Sequence, residues 1–574
     1  MSAHRSWLDR WFASLTERFE ASAEELGRLD GQVGDGDHGE TMRRAFAAVY
    51  TRLFHEASEE PQDDADRLRL VGTTILDAGG GASGPLMASL FLGIAQATEE
   101  HGALNAQAFA RGLDEASRLV IRMGQTDVGD KTLLDALQPA AREAVIAAEH
   151  FDDLSAVWRA AVVAAEAGRD ATSAMRGRRG RSAWVEGHGT GTQDPGATSL
   201  ALILKTGLEA LTDADDMAKN ERASHRIERT SGAGTSCMRK APAGKLVQSP
   251  DTAVSDMLDG LVAAFPARVK RLGEDPIAVR ALPATGGKVG LVIGNGSGHE
   301  PIAVGWVGRG MLDANALGPV FTAPSPNLIA RAIAASDQGS GVLLLISHHE
   351  GDRIAGEMAA HLARMDGRRV ETLLMYDDVA SAPKGQEASR RGGAGTAFVY
   401  KIVGQALEEG MKLEEAKRLG ERIRDATRTL SVALAPGTSP VTGEALFSLP
   451  PGEAFIGMGV HGEPGFARMP ADHLANICEA VLDGILDDGG FPDGATLIPL
   501  INGSGGTSLM ELLVVSQLVL ETLKQRGFNA VHPLIGSYVT TQETKGFSVS
   551  VFHATDDLDV SRWTAAADVP FFHL

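Results

Sequence analysis

The sequence predicts a multidomain protein: an all-α N-terminal domain of about eight helices, followed by a two-lobed α/β domain. Three observations carry this. Residues 6 to 212 repeat helical apolar spacing and contain no alternating strand. Residues 211 to 243 are polar, charged and short of large apolar side chains, the composition of a linker. From about residue 244, short apolar runs alternate with helical segments, as in a sheet covered by helices. With 574 residues the chain is too long for one core. The expected boundaries are 1–210, a linker at 211–243 and 244–574, with lobes at about 244–435 and 436–574.

The first helix spans 6–25, where Trp7, Trp11, Leu15 and Phe19 recur every four residues with Leu8 and Phe12 beside them. Helical spacing continues over 40–57, 64–78, 83–98, 105–123, 131–149, 153–175 and 196–212. In the second part, strands are expected at 288–293, 341–346 and 371–376, with helices at 326–335, 352–366 and 394–409. Further strands are expected near 454–460, 496–501, 530–535 and 547–553.

A formal net charge of −21 argues against a nucleic acid or an anionic membrane as partner. No unbroken apolar run of about 18 residues appears, and the N-terminus lacks a basic-then-apolar leader. Cys237 and Cys478 lie far apart and outside any metal-ligand spacing. These features predict a cytoplasmic protein without a disulfide framework.

The loops between helices carry the chemistry of the first domain. Residues 28–42 place Asp30, Asp35 and Asp37 on a turn bent by Gly31, Gly34, Gly36 and Gly39. Three such carboxylates repel one another unless a cation sits between them, and hard oxygen ligands suit Mg²⁺. Taken alone, the same turn is equally a solvated acidic loop. Residues 79–86, Gly-Gly-Gly-Ala-Ser-Gly-Pro-Leu, lead into a helix, where free N–H groups and the Ser83 hydroxyl suit an anion. Gly-Asp-Lys-Thr at 129–132 and Asp194-Pro195-Gly196 are turns running into helices.

Taken together and in this order, these loops resemble the nucleotide-binding domain of the dihydroxyacetone kinase family over residues 5–210. The resemblance implies a helical barrel that binds ATP with two Mg²⁺ ions held by Asp30, Asp35 and Asp37. It also implies that His38, Gly39, Glu40 and Thr41 lie beside the phosphates and that Ala82 and Ser83 form the phosphate nest. Gly124 and Leu133 would border adenine, while Arg181, Asp194, Pro195 and Gly196 close the site. One departure is His188, where the family usually has Arg.

In the second domain, three strand ends present candidate side chains. The first strand ends in Gly294-Asn-Gly-Ser-Gly-His-Glu-Pro301, with no acidic residue at the spacing of a dinucleotide site. The second ends in Ser347-His-His-Glu-Gly-Asp-Arg353, and a later one in His461-Gly-Glu-Pro-Gly465. Carboxyl ends of sheet strands are where α/β folds bind ligands. These segments resemble the ketose-binding domain of the same family over about 244–555. Further matches are Arg390 to Thr396, Asn502 to Leu512, and Gly546-Phe547-Ser548.

The resemblance implies that His461 holds a short ketose as a hemiaminal, that Asp352 accepts the proton of the attacking hydroxyl, and that His299 assists. Gly296, Ser297, Gly298 and Ser347 would contact substrate. The family usually reads Lys-Asn-Tyr-Thr-Gly-Asp followed by Asn-Phe; here the Lys is Ser347 and the Asn-Phe pair is Ala355-Gly356. Smaller groups suggest room for a four-carbon ketose such as D- or L-erythrulose beside dihydroxyacetone. The expected activity is an ATP-dependent ketose kinase, with a homodimer expected. The alternatives are a phosphotransferase-system-dependent kinase with bound ADP, and a non-catalytic ketose sensor.

Overall fold

A computed structural model describes residues 6–32, 38–56, 61, 63–178, 189–217, 240–283, 286–459, 463 and 465–572, apart from 79–82. Contacts divide the chain into two compact units, Met1–Gly234 and Thr235–Leu574. Among the described residues there are sixteen α-helices and thirteen strands. None of these helices is long and apolar enough to cross a membrane.

The first unit is entirely helical: α1 (Trp7–Gly31), α2 (His38–Phe54), α3 (Asp64–Ala78), α4 (Ser83–His101), α5 (Ala106–Gly124), α6 (Leu134–Ala148), α7 (Leu154–Ala171) and α8 (Pro195–Met217). Each helix packs on the next and α8 closes on α1, so the eight form a barrel. α1 starts at a capping box, with Ser6 and Asp9 each accepting the other's backbone N–H. Its apolar stripe lies inside, with Trp11, Leu15 and Phe19 fully buried. The Trp158 ring stacks on Phe109 at 4.0 Å, and its Nε1–H donates to the Leu204 carbonyl at 2.8 Å. α8 runs seven residues past 210, into the stretch predicted as linker. Residues 218–239, most of that stretch, lie outside the described residues.

The second unit has two sheets. The first, in order β1-β2-β4-β3-β5-β6, comprises β1 (Val269–Arg271), β2 (Ile277–Arg280), β3 (Gly290–Ser297), β4 (Ala314–Val320), β5 (Val342–Ile346) and β6 (Val370–Leu374). β3 lies parallel between β4 and β5, so the chain leaves its carboxyl end in one direction and returns on the other side. That switch point is where such sheets bind ligands. The second sheet, in order β11-β10-β13-β7-β8-β9 with β12 on β10, contains β7 (Thr427–Ala435), β8 (Glu453–Ile456), β9 (Ala467–Pro470), β10 (Thr496–Gly503), β11 (Asn529–Ala530), β12 (Leu534–Gly536) and β13 (Lys545–His553).

The lobes are less separate than expected. β7, placed by the sequence in the first lobe, pairs with β13 and β8 of the second sheet. Helices α12 (Thr396–Glu408) and α13 (Leu413–Asp425) are shared by one core, which joins Leu291 and Leu343 of the first sheet, Phe398 and Leu419 of the helices, and Leu500 and Phe552 of the second sheet. Helices α10 (Pro326–Ser336) and α11 (Glu350–Met365) cover the other face of the first sheet. Helices α14 (Leu474–Gly489) and α15 (Leu509–Gln525) cover the other face of the second. The unit is thus five layers, helix–sheet–helix–sheet–helix.

Candidate active site

In the helical unit the site is built around His38, the first residue of α2. Its backbone N–H donates to Asp30 Oδ2 at 3.2 Å. Nε2 lies 2.8 Å from Ser199 Oγ on α8, and Nδ1 lies 3.3 Å from Ser83 Oγ at the start of α4. Four helices therefore meet at one buried imidazole. Burial pushes its pKa down, while the Asp30 charge and the Pro195 carbonyl pull it back.

Asp194 caps α8, with Oδ1 accepting the Ala197 N–H at 2.7 Å and Pro195 in the first helical position. Burial, reinforced by the charges of Asp135 and Asp30, pushes its carboxyl up to about 7, against the Ala197 hydrogen bond and Lys131. Asp135 accepts the N–H groups of Gly129 and Thr132 at 2.6 and 2.7 Å. Lys131 is buried at a φ of +64° and donates to the carbonyls of Thr172 and Thr192, so it braces the loop instead of standing free for an anion. A Cβ on Gly196 would lie 3.1 Å from Leu133 Cβ and 3.2 Å from Asp194 Oδ1, which sets the expected adenine neighbour beside the turn. Gly124 ends α5, next to Thr126, whose hydroxyl lies 3.3 Å from that of Thr132.

Not every expected residue joins this cluster. Glu40 is exposed, and its carboxylate is engaged by Arg43 at 2.6 Å. Thr41 is buried. Gly39 lies where α2 crosses α1; a Cβ there would come 2.0 Å from the Ala23 carbonyl oxygen. Asp35, Asp37, Ala82, Arg181 and His188 lie outside the described residues. Asp30, the expected ligand that is described, is a hard oxygen donor of the kind that suits Mg²⁺, while among the described residues no three His, Cys, Asp or Glu side chains gather as a metal site.

In the α/β unit, β3 and β5 deliver His299 and Asp352 to the switch point. His299 Nδ1 donates to the Thr540 carbonyl at 2.7 Å, and Thr540 N–H returns a bond to the His299 carbonyl. The neutral ring therefore keeps its lone pair on Nε2. Ser297 Oγ donates to the Gly318 carbonyl at 2.8 Å. Gly298 has a φ of +106°, and a Cβ there would come 2.6 Å from the Phe321 ring. A Cβ on Gly296 would come 2.8 Å from the Thr322 nitrogen.

Beyond β5, the Ser347 carbonyl accepts the Gly392 N–H at 2.8 Å, and its hydroxyl meets that of buried Tyr400. Burial raises the Tyr400 pKa, and the nearby Asp352 charge adds to that. Asp352 lies in the first turn of α11. His348 has a φ of +65°; burial drives its pKa down to about 4, and Nδ1 donates to the Arg390 carbonyl at 2.6 Å. Ala355 and Gly356 do not open space for substrate. Ala355 belongs to the core between α11 and the sheet, and a Cβ on Gly356 would come 2.7 Å from Ile346 Cδ1, so helix–sheet packing uses their small size.

A small pocket lies near these segments, walled by Arg391, Gly392, Thr429, Gly459, Asn502, Thr541 and neighbours. His299 and Asp352 are not among its lining residues; in its wall, Gly392 holds Ser347 and Thr541 follows Thr540, which holds His299. Gly459 is two residues before His461, which lies outside the described residues with Gly462. Sequence reasoning missed the acid pair that shapes this pocket. Asp377 accepts the N–H groups of Gly393 and Gly395 at 2.8 and 2.9 Å and the Thr429 hydroxyl at 2.5 Å. Asp378 accepts Arg391 Nε–H at 2.8 Å. The signal was present: both acids follow a predicted strand, as His299 does.

Family models match the chain over two stretches: a DAK2 domain at residues 32–209 and a Dak1 domain at residues 259–571. The dihydroxyacetone-binding subunit of a phosphotransferase-system-dependent dihydroxyacetone kinase from Listeria innocua is 40% identical over 326 residues, 57% of this chain and 98% of that subunit. A D-erythrulose kinase from Mycolicibacterium smegmatis is 37% identical over 57% of this chain and 56% of its own length. The crystal structure of the dihydroxyacetone kinase from C. freundii in complex with AMP-PNP and Mg²⁺ matches with a TM-score of 0.52 and 31% identity, covering 57% of this chain and 60% of that one. With the helical barrel, the switch-point residues and both domain matches in agreement, the chain belongs to the dihydroxyacetone kinase family, an enzyme of the kinase class with its DAK2 domain ahead of its Dak1 domain.

Proposed function

We propose that this chain transfers the γ-phosphoryl group of ATP to a terminal hydroxyl of a short-chain ketose. The observation that carries the reading is the pairing of two sites on one chain. One is a polar knot at helix termini suited to phosphates; the other is the switch point of the first sheet, which presents a His with a fixed tautomer and a shielded carboxylate.

A small hydroxylated ketone offers little apolar surface, so affinity needs another source. His461 Nε2 supplies it by attacking the ketone carbon. A C–N bond forms, the carbonyl π pair moves to oxygen, and that oxygen is protonated while the alkylated imidazole gives up its Nδ1 proton. His299, its Nδ1 proton committed to Thr540, presents Nε2 as an acceptor to a substrate hydroxyl. Asp352 accepts the proton of the terminal hydroxyl as its oxygen attacks phosphorus and the bond to ADP breaks. In the helical unit, the N-terminus of α4 with Ser83, and His38 beneath it, orient phosphate oxygens. Mg²⁺ held by Asp30, with Asp35 and Asp37 as the other expected ligands of two ions, would screen phosphate charge when bound.

The ketose is dihydroxyacetone or a ketotetrose such as D- or L-erythrulose. Ser347 in place of a long cation carries the case for the larger sugar, since Ala355 and Gly356 are taken up by packing. A second reading, phosphoryl supply by a sugar phosphotransferase system with ADP permanently bound, draws on the Listeria relative. A coupled ADP-release assay with Mg-ATP separates the two. Turnover of dihydroxyacetone or erythrulose but not glycerol, with ATP alone, supports the kinase reading. Turnover that requires a phosphohistidine donor establishes the second.

A further inference from the structure

His349 stands immediately before α11, and its ring lies between two carboxylates. Nδ1 is 3.6 Å from Asp352 Oδ2, and Nε2 is 3.9 Å from Glu463 Oε1. Glu463 lies 3.4 Å from an Arg391 terminal nitrogen, and Arg391 Nε–H donates to Asp378 Oδ2 at 2.8 Å. Charge therefore alternates along five side chains from α11 to the pocket wall: Asp352, His349, Glu463, Arg391, Asp378. Glu463, the most exposed of them, is 33% exposed, so the row is largely sheltered from solvent screening.

We propose that His349 is a positioning residue that orients Asp352 and couples it to Glu463, two positions after His461 in the sequence. This rests on the reading of Asp352 and His461 given above. A carboxylate on a short side chain can present either oxygen to substrate, and a neighbouring N–H selects one. Both ring distances exceed hydrogen-bond length, the usual state of catalytic contacts before substrate tightens them. Only the protonated ring carries an N–H on both nitrogens, one for each carboxylate. Among the described residues, the charged groups at that ring are Asp352 on α11, which also carries Glu350 and Arg353, and Glu463 across from it, with Arg391 and Asp378 behind Glu463.

Two measurements test this on the full chain. The first is a histidine NMR titration, with the His349 signal assigned by its loss in His349→Asn. Its pKa is expected to fall by about half a unit or more in Asp352→Asn and again in Glu463→Gln. No fall in either variant overturns the coupling. The second is kinetic. An Asn side-chain amide takes the place of Nδ1 and can still donate to Asp352, whereas Phe keeps the ring without nitrogen. His349→Phe is expected to lower kcat about tenfold or more, with ketose KM within about threefold and the ketose adduct on His461 intact by mass spectrometry. His349→Asn is expected to recover most of the loss. Loss of the adduct together with kcat, or equal loss in Asn and Phe, overturns the positioning role. If the wild-type chain shows no turnover with Mg-ATP, the kinase reading fails, and the titration still decides the coupling.

Discussion

The helical unit gathers its polar side chains from helix ends, and the α/β unit ties backbones together across two sheets. His38 receives hydroxyls from α4 and α8 and an acid from α1, each carried by a helix whose own apolar stripe holds it in place. In the α/β unit, His299 is bonded to Thr540, 241 residues away, and Ser347 is bonded to Gly392 in the pocket wall. The first kind of site loses one side chain's chemistry when one residue changes. The second loses the placement of a whole loop.

The sharpest division between the two regions would come from His461→Ala. Ketose adduct by mass spectrometry is expected to vanish and turnover to fall by about a thousandfold or more, with nucleotide affinity of the helical unit unchanged. A parallel loss of nucleotide affinity would show the sites are not independent. His38→Ala is the reciprocal change. Nucleotide affinity by calorimetry is expected to fall about 10- to 100-fold, with the ketose adduct retained. Gly39→Ala probes packing beneath the first site: a Cβ 2.0 Å from a backbone oxygen should destabilise the helical unit by about 1–3 kcal/mol or more in denaturant unfolding.

The smallest expected effect is on pH dependence in the α/β unit. His348 is held neutral, its pKa near 4 against an ordinary 6.5. Its contribution to stability is complete above pH 6.5. It is lost progressively as pH falls toward 4, because the unfolded imidazole binds a proton that the folded one refuses. His348→Asn keeps a donor for the Arg390 carbonyl and suits the left-handed backbone. It is expected to raise stability at pH 5 by up to about 2 kcal/mol and to change little at pH 8, read by thermal unfolding at both.

Much of this architecture was legible in the sequence. The eight helices of the barrel announce themselves through wide apolar stripes such as Trp11, Leu15 and Phe19. β3 and β5 are apolar runs ending in glycine or polar turns. Other elements carry weak local signals. β4, Ala-Asn-Ala-Leu-Gly-Pro-Val, has one β-branched residue, yet it pairs on both sides because β2 and β3 flank it. The strand expected at 530–535 is two short strands, since Pro533 has no N–H to donate and His532 adopts a φ of +46°. β7 alternates well, but nothing local says which sheet it joins. The site was legible as residue types at strand ends. Its bracing by Thr540 was not, because that partner is distant in sequence and meets His299 only through the tertiary fold.

The core shared around α12 and α13 bears on the order in which a ribosome makes this chain. The first sheet is complete once β6 has emerged, at residue 374, and its two helices follow by residue 425. The strand that covers their other side beside β7, β13, arrives only at residues 545–553. For more than a hundred residues of synthesis, Phe398 and its neighbours have no permanent cover. The nascent chain therefore passes through a sticky intermediate, and premature stops anywhere between 425 and 553 yield an aggregation-prone fragment in place of a smaller working domain.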